Sequence, residues 1–461
     1  MPNIIDYIEW RGDLPIVADG FNDIDSLIIS QIAMINFKDI VPPPFEEGKI
    51  SIADAASIYF SDDEKSACSL GLIIPPETKE LFIRAGSSLR FGAMKLSSYV
   101  SYTNVEEQTQ FAALTVDIGD GSCYVAFRGT DDTIVGWKED FNLSFLTPIP
   151  AQTEALKYLE ATAAKTSGGI RVGGHSKGGN LSVYSAVKCD SEIKKRIIEV
   201  YNNDGPGFSR EFLSAPEYEE ISDKIKTIVP QSSVVGMLFE NKGDYHIVKS
   251  AMNGILQHNP FSWELVGNKF VNLDSLTEDG KSIAKVMNDL MAKLNVEERQ
   301  KVVDAVYDIL VATEATTLTE LNKDKYAIVR ALKDADKETR KVVFGVFGVL
   351  LEQGGKLFRN SLFAPLMKRE KENKLNEGEK SDFEHTLEEA AATFKEIGEG
   401  NDIPEIRQLK DAEPVVNKNK KQPLEPVRQN RHQTKVYPGR EKFMARVAIA
   451  TRKAVIKRIK K

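Results

Sequence analysis

The stretch GGHSKGGN at residues 173–180 decides how this sequence is interpreted. Gly174, Ser176 and Gly178 fit the pattern G-x-S-x-G, in which a serine lies on a sharp strand-to-helix turn and exposes its hydroxyl. The β-prone run IRVGG ends within the pattern, and KGGNLSVYSAV continues from it with helical character. A Gly-rich loop without a catalytic role has a similar composition, so the surrounding sequence has to separate the two interpretations.

β-rich and helical segments alternate between about residues 111 and 271, which predicts an α/β fold. The runs FAALTVDI and SCYVAFRG flank the turn GDG and predict an antiparallel hairpin. A helix follows at 151–165, then IRVGG, the helix after the serine, the strand IIEVYNND at 197–204 and the run KTIVP. This order predicts parallel βαβ units with the serine at one of the turns.

Composition and cysteine content favour a soluble cytoplasmic protein. The chain has 461 residues, of which 41% are hydrophobic, enough for one large core and accessory units. Its three cysteines are widely spaced and suggest neither a disulfide framework nor a zinc site. The N-terminal residues lack a secretory pattern, and no apolar run of about 18 residues is present.

The region after residue 276 changes character. We predict an α/β domain that contains the serine turn at 1–276, a helical subdomain at 277–366, a disordered linker at 367–440 and a basic amphipathic helix at 441–461. The helical subdomain is predicted from apolar residues at helical spacing. The linker loses that periodicity and is rich in Lys, Glu, Asn, Gln and Pro.

The basic tail carries charge opposite to the rest of the chain. Residues 417–461 contain 15 Lys or Arg against two Glu, a balance of +13, whereas the other 416 residues hold 46 basic against 66 acidic residues, a balance of −20. An anionic membrane surface or a nucleic acid is the partner expected for such a tail, and a solvated extension is the alternative. One stripe of the final helix carries the residues expected to bind phosphate, namely Lys442, Arg446, Lys453, Lys457 and Lys460.

A serine nucleophile needs a base, and the sequence contains only five histidines. His175 adjoins the serine and is expected to point away from it, while two others fall in polar C-terminal segments. His258, in a loop before Asn-Pro, is favoured over His246, which lies in the alternating run DYHIVKS and is expected to be a half-buried structural residue.

The acid that orients the base is expected between the serine and the histidine in chain order. Asp204 ends the strand IIEVYNND and opens the turn DGPGF, which places its carboxylate at the same sheet edge as Ser176. Asp244 is the competing acid, and an ordinary turn aspartate is the alternative role for Asp204.

An oxyanion hole requires two backbone N–H donors. Lys177, directly after the serine at the start of a helix, supplies one, and Thr130 in the stretch AFRGTDD is the candidate for the second.

The segments FRGTDD, GWKEDF, GGHSKGG and NDGPGF together resemble the class 3 lipase-like branch of the α/β-hydrolases, and more closely a bacterial group without an assigned function. The resemblance covers about residues 1–365. It implies Ser176 as nucleophile, His258 as base, and Thr130 and Lys177 as oxyanion donors. Class 3 lipases usually place their acid after the next strand, where this chain reads VPQSSVVGML and has none, so either Asp204 acts from the preceding strand or the triad is incomplete.

The expected fold is therefore an α/β-hydrolase fold with a C-terminal helical subdomain and a disordered basic tail. The expected activity is hydrolysis of carboxylic esters, with a lipid as the expected substrate, through a Ser-Asp-His triad that requires neither a metal nor an organic cofactor. The alternative function is a noncatalytic or weakly catalytic protein of the same fold, tethered to a membrane or nucleic acid by its tail.

Overall fold

A nine-stranded sheet organises the part of the chain that this computed structural model describes. The described residues are 1–335 apart from 45, 244, 279, 283–284, 286–287, 289–293 and 324–326, together with residue 339. The predicted linker at 367–440 and the basic tail at 441–461 lie outside them.

The strands follow the alternation predicted from the sequence. In chain order they are β1 (Ile50–Ser51), β2 (Lys95–Asn104), β3 (Thr109–Asp117), β4 (Cys123–Phe127), β5 (Ile170–His175), β6 (Ile197–Asn203), β7 (Ile225–Pro230), β8 (Tyr245–Val248), β9 (Leu265–Val266), β10 (Lys269–Phe270) and β11 (Asn272–Leu273). The sheet order is β1-β2-β3-β4-β5-β6-β7-β8-β11, while β9 and β10 form a separate two-stranded sheet. Strands β4 to β8 are parallel, and β3 pairs with β4 as the predicted antiparallel hairpin.

Helices cover both faces of the sheet. They are α1 (Ile4–Arg11), α2 (Asp23–Ile32), α3 (Ile52–Ser61), α4 (Asp63–Ala67), α5 (Glu77–Ser87), α6 (Leu89–Gly92), α7 (Ile134–Asn142), α8 (Pro150–Lys165), α9 (Lys177–Lys188), α10 (Ser191–Arg196), α11 (Arg210–Leu213), α12 (Pro216–Glu219), α13 (Val296–Ala312), α14 (Leu318–Lys323) and α15 (Ala327–Asp334). This arrangement of helices around a mostly parallel sheet is an α/β-hydrolase fold, as the sequence predicted.

Two apolar cores lie on opposite faces of the sheet because successive strand residues point to opposite sides. Tyr124 and Ala126 of β4 pack with helices α1, α2, α3 and α5 in one core. Val125 and Phe127 of the same strand pack with α8 and α9 in the other. The parallel strands are buried on both faces, which explains their nearly continuous apolar sequences.

The C-terminal helices contact the loop that follows β4. Ile134 N–H donates to Thr316 O at 3.0 Å, and Leu318 N–H donates to Asp132 O at 2.9 Å. On the outer face of α7, the buried Lys138 ammonium pairs with Asp304 of α13 and lies over the Tyr307 ring.

The domain boundary predicted at 276/277 stays a prediction. Within the described residues, no helix combines the length and apolarity needed to span a bilayer.

Candidate active site

Ser176 lies at the turn between β5 and α9 in a conformation that few residues adopt. Its backbone angles are φ 60° and ψ −133°, in the left-handed half of the map, where a side chain is strained. A methyl group on Gly178 would lie 2.2 Å from Phe127 O, so a residue larger than glycine does not fit there. The glycines of the G-x-S-x-G pattern are thus required by close backbone packing, and Ser176 is left partly exposed at the sheet edge.

Asp204 directly follows β6, the parallel neighbour of β5, so its carboxylate emerges at the same sheet edge as Ser176. The residue is fully buried and has a positive φ of 54°. Ser176 N–H donates to Asn203 O at 3.0 Å, and this bond ties the elbow to the end of β6.

His258 ends a short 3₁₀ helix, Gly254–His258, that follows β8. Its Nδ1 lies 2.7 Å from Asp204 Oδ2. A neutral imidazole that donates from Nδ1 to this carboxylate carries its lone pair on Nε2. No hydrogen bond joins Nε2 to Ser176 Oγ in the described part of the chain.

The alternatives considered for acid and base are placed differently. Asp244 lies outside the described residues. His246 lies on β8 and is exposed, so the expectation that it is a half-buried structural residue is wrong, because the β8 position that it occupies faces solvent.

His175 contacts the candidate base, a contact that sequence reasoning missed. Its ring centroid is 4.5 Å from that of His258, and its Nε2 donates to His258 O at 2.9 Å. Burial lowers the pKa of His175 well below its ordinary value, and repulsion from the adjacent His258 ring, when that ring is protonated, lowers it further. A neutral His175 with its proton on Nε2 therefore holds the backbone of His258. Adjacency to the serine was the only sequence signal for it.

Ser233 is a second site residue that the sequence analysis did not single out. It lies in the VPQSSVVGML stretch, where class 3 lipases usually carry their acid, and its Oγ donates to Asp204 Oδ1 at 2.5 Å. Gly236 N–H in turn donates to Ser233 Oγ at 3.0 Å. Asp204 is therefore held through both oxygens, one by Ser233 and one by His258. The sequence signal that could have identified Ser233 is the absence of an acidic residue directly after β7.

Thr130 lies in the loop after β4, close to the elbow. A methyl group on the preceding Gly129 would lie 3.3 Å from Ser176 Cβ, which shows how closely this loop approaches the serine. The Thr130 hydroxyl donates to Asp140 Oδ2 at 2.5 Å. Burial raises the pKa of Asp140 from 3.8 to about 6, while the Lys177 ammonium and the Thr130 hydrogen bond oppose that rise.

Lys177 is the first residue of α9, where the helix leaves its backbone N–H groups without an intrahelical partner. The N–H of Lys177 therefore lies directly after the serine and at the positive end of a helix. The five tail residues predicted to bind phosphate, Lys442, Arg446, Lys453, Lys457 and Lys460, lie outside the described residues.

A family model and a solved structure are each similar to part of this chain. The family model described as Mbeg1-like matches residues 85–308, a range that contains all the candidate catalytic and oxyanion residues named above. The match confirms the resemblance to lipase-like α/β-hydrolases that the sequence motifs suggested. A solved structure described as M37 lipase is similar at 14% identity and a TM-score of 0.28, covering 54% of this chain and 81% of the other. No curated protein matches the sequence.

Proposed function

We propose that this chain, a lipase-like protein with an α/β-hydrolase fold, hydrolyses carboxylic esters with Ser176 as nucleophile, His258 as general base and Asp204 as the acid that orients the base. The single observation that carries the proposal is the 2.7 Å bond between Asp204 Oδ2 and His258 Nδ1 at the sheet edge that also bears the strained Ser176. The order Ser, Asp, His along the chain is that of the α/β-hydrolases.

In the acylation step, Ser176 Oγ attacks the ester carbonyl carbon while His258 Nε2 takes the hydroxyl proton. The tetrahedral intermediate then collapses, the bond to the leaving oxygen breaks, and His258 returns the proton to that oxygen. Water attacks the acyl-enzyme by the same route, which releases the acid and restores the serine. Asp204 stays ionised throughout and stabilises the imidazolium.

The backbone N–H groups of Thr130 and Lys177 are proposed to donate to the negative oxygen of each tetrahedral intermediate. Such donors act most strongly where they are fixed in place before the reaction. The contact of Thr130 with Asp140 and the position of Lys177 at the start of α9 support this assignment.

Exposed apolar side chains near the site support a substrate with an apolar acyl chain. Leu256 is 64% exposed and lies two residues before His258, and Phe141 is 44% exposed and directly follows Asp140. Phospholipids are the proposed lipid class, because the predicted basic tail has the charge to bring the protein to an anionic bilayer.

The test is hydrolysis of p-nitrophenyl esters from butyrate to palmitate by the full chain. We expect Ser176→Ala, His258→Ala and Asp204→Asn each to lower kcat by roughly 10⁴-fold. Ser185→Ala, a buried serine on α9, and His246→Ala, the alternative base, serve as matched controls and are expected to keep activity. Unchanged hydrolysis by Ser176→Ala contradicts the proposal, and loss of activity in His246→Ala contradicts the choice of base.

The basic tail supports a separate proposal, that residues 441–461 tether the chain to a polyanionic surface. Co-sedimentation with phosphatidylserine vesicles and a nucleic-acid shift assay at the same salt concentration distinguish the two surfaces. Deletion of 441–461 is expected to abolish whichever binding is found. If the deletion changes neither, the tether is contradicted. A tethered chain that hydrolyses no ester supports the noncatalytic alternative instead.

A further inference from the structure

The side chain of Lys177 is buried beneath the elbow. It is 1% exposed, and its ammonium donates to Gln110 O at 2.9 Å, to Gln110 Oε1 at 2.8 Å and to Glu139 Oε2 at 2.8 Å. Three acceptors match the three hydrogens of the ammonium. The residue that follows the nucleophile is thus fixed through its side chain as well as through its backbone.

Glu139, which accepts from Lys177, is fully buried on α7 and is satisfied through both of its oxygens. Its Oε1 accepts from Ala151 N–H at 2.9 Å at the start of α8, and its Oε2 also accepts from Gln110 N–H at 3.1 Å on β3. The carboxylate therefore joins α7, α8, β3 and the elbow at one point.

The next residue on α7, Asp140, accepts from the Thr130 hydroxyl. Consecutive residues of one helix thus hold the two candidate oxyanion donors, Glu139 through Lys177 and Asp140 through Thr130. We infer that the buried Lys177–Glu139 ion pair positions the oxyanion hole, setting the distance and direction of the Lys177 N–H relative to the Thr130 N–H. This inference rests on the proposed function and adds the side chain of Lys177 and Glu139 to its machinery.

If the Lys177–Glu139 pair had a purely structural role, its loss would affect stability and not the transition state specifically. Replacing a buried ion pair with apolar residues of similar volume often leaves stability unchanged or raises it, so stability alone gives little reason for charges here. Oxyanion donors, in contrast, have to lie within a few tenths of an ångström of their positions, and a displacement of 1 Å costs about 10²-fold in rate. The pair is therefore expected to affect the transition state more than substrate binding.

The test compares wild type, Lys177→Met, Glu139→Gln and the double variant in ester hydrolysis, in the rate of labelling by a fluorophosphonate, and in inhibition by a trifluoromethyl ketone, whose adduct places an oxyanion in the hole. Lys194→Met is the matched control. It removes another buried ammonium, that of Lys194 on α10, which lies away from the elbow and donates to Glu217 O and Glu220 Oε2. Thermal unfolding of each variant is measured alongside.

We expect Lys177→Met to lower kcat, labelling rate and ketone affinity by a common factor of about 10- to 100-fold, with KM changed by less than about twofold. The double variant is expected to lose less than the product of the single losses, because the pair acts as a unit. Glu139→Gln keeps the inference testable if Lys177→Met does not fold. Lys194→Met is expected to change the melting temperature without that kinetic pattern.

Three outcomes are distinguishable. A folded wild type that the fluorophosphonate does not label overturns the proposed function and this inference with it. A labelled wild type with Lys177→Met and Glu139→Gln labelled at the same rate overturns only the positioning role. Losses that merely follow melting temperature, as in Lys194→Met, also overturn it.

Discussion

Ser233→Ala is the substitution with the most specific expected effect, because it removes one oxygen atom that contacts Asp204 of the proposed triad. Ser233 is 1% exposed, and Asp204 is fully buried. The alanine variant leaves Asp204 Oδ1 without its 2.5 Å donor and Gly236 N–H without its acceptor. His258 still contacts Oδ2, so the carboxylate is held on one side only.

The expected magnitude follows from these two lost bonds. A hydrogen bond to a buried charged group contributes about 1.5–3 kcal/mol and an ordinary one about 1 kcal/mol. The cavity adds little because only an oxygen atom is removed. We therefore expect the free energy of unfolding to fall by about 3 kcal/mol, and kcat to fall by about tenfold to 10²-fold as Asp204 and His258 lose their alignment.

Chemical denaturation and ester hydrolysis measure both effects. Ser232→Ala is the matched control, since the neighbouring serine is also buried but its Oγ contacts Thr277 Oγ1 at 2.5 Å and not the residues of the proposed triad. We expect that control to lose stability while keeping kcat within about threefold. Equal kcat values for Ser233→Ala and Ser232→Ala would refute the positioning of Asp204 by Ser233.

Three further perturbations follow from the site. Gly178→Ala places a methyl group 2.2 Å from Phe127 O and is expected to destabilise the fold by about 3 kcal/mol and abolish hydrolysis; an active, stable variant contradicts the packing at the elbow. Asp140 holds a proton up to about pH 6 in the fold but only to about pH 4 when unfolded, so its stabilising contribution is present below pH 4 and lost as the pH rises through 6. Unfolding measured from pH 4 to 7 should therefore show Asp140→Asn gaining up to about 3 kcal/mol relative to wild type, and parallel curves contradict this. His175→Phe keeps a ring against His258 but loses the 2.9 Å bond to His258 O, so we expect about 1 kcal/mol less stability and a lower kcat, and an unchanged kcat argues against this role.

The fold was predictable where local pattern and tertiary structure agree. Strands β3 to β7 are short apolar runs separated by turn residues and helices, and each is recognisable without its neighbours. The placement of Ser176, Asp204 and His258 after strands of one parallel sheet was also predictable, because parallel strands bring their carboxyl ends to one sheet edge.

Contacts between distant segments were not predictable. Ser233 reaches Asp204 across 29 positions, and Lys177 reaches Glu139 across 38. Neither contact leaves a periodic signal, because each depends on one side chain meeting another after the sheet has formed. For the same reason, the buried ion pair of Arg90 and Asp25 in the N-terminal half could not be predicted. The distance between Arg90 Nη2 and Asp25 Oδ2 is 2.6 Å.

The presence of an activated serine at position 176 is tested most directly by a fluorophosphonate and mass mapping of the labelled peptide. In the expected reaction, Ser176 Oγ bonds to phosphorus, the P–F bond breaks, fluoride leaves and His258 takes the proton. We predict stoichiometric labelling of Ser176 in wild type, none in Ser176→Ala and labelling slowed by at least about 10³-fold in His258→Ala. A folded wild type that remains unlabelled, or labelling at another serine, would contradict the account.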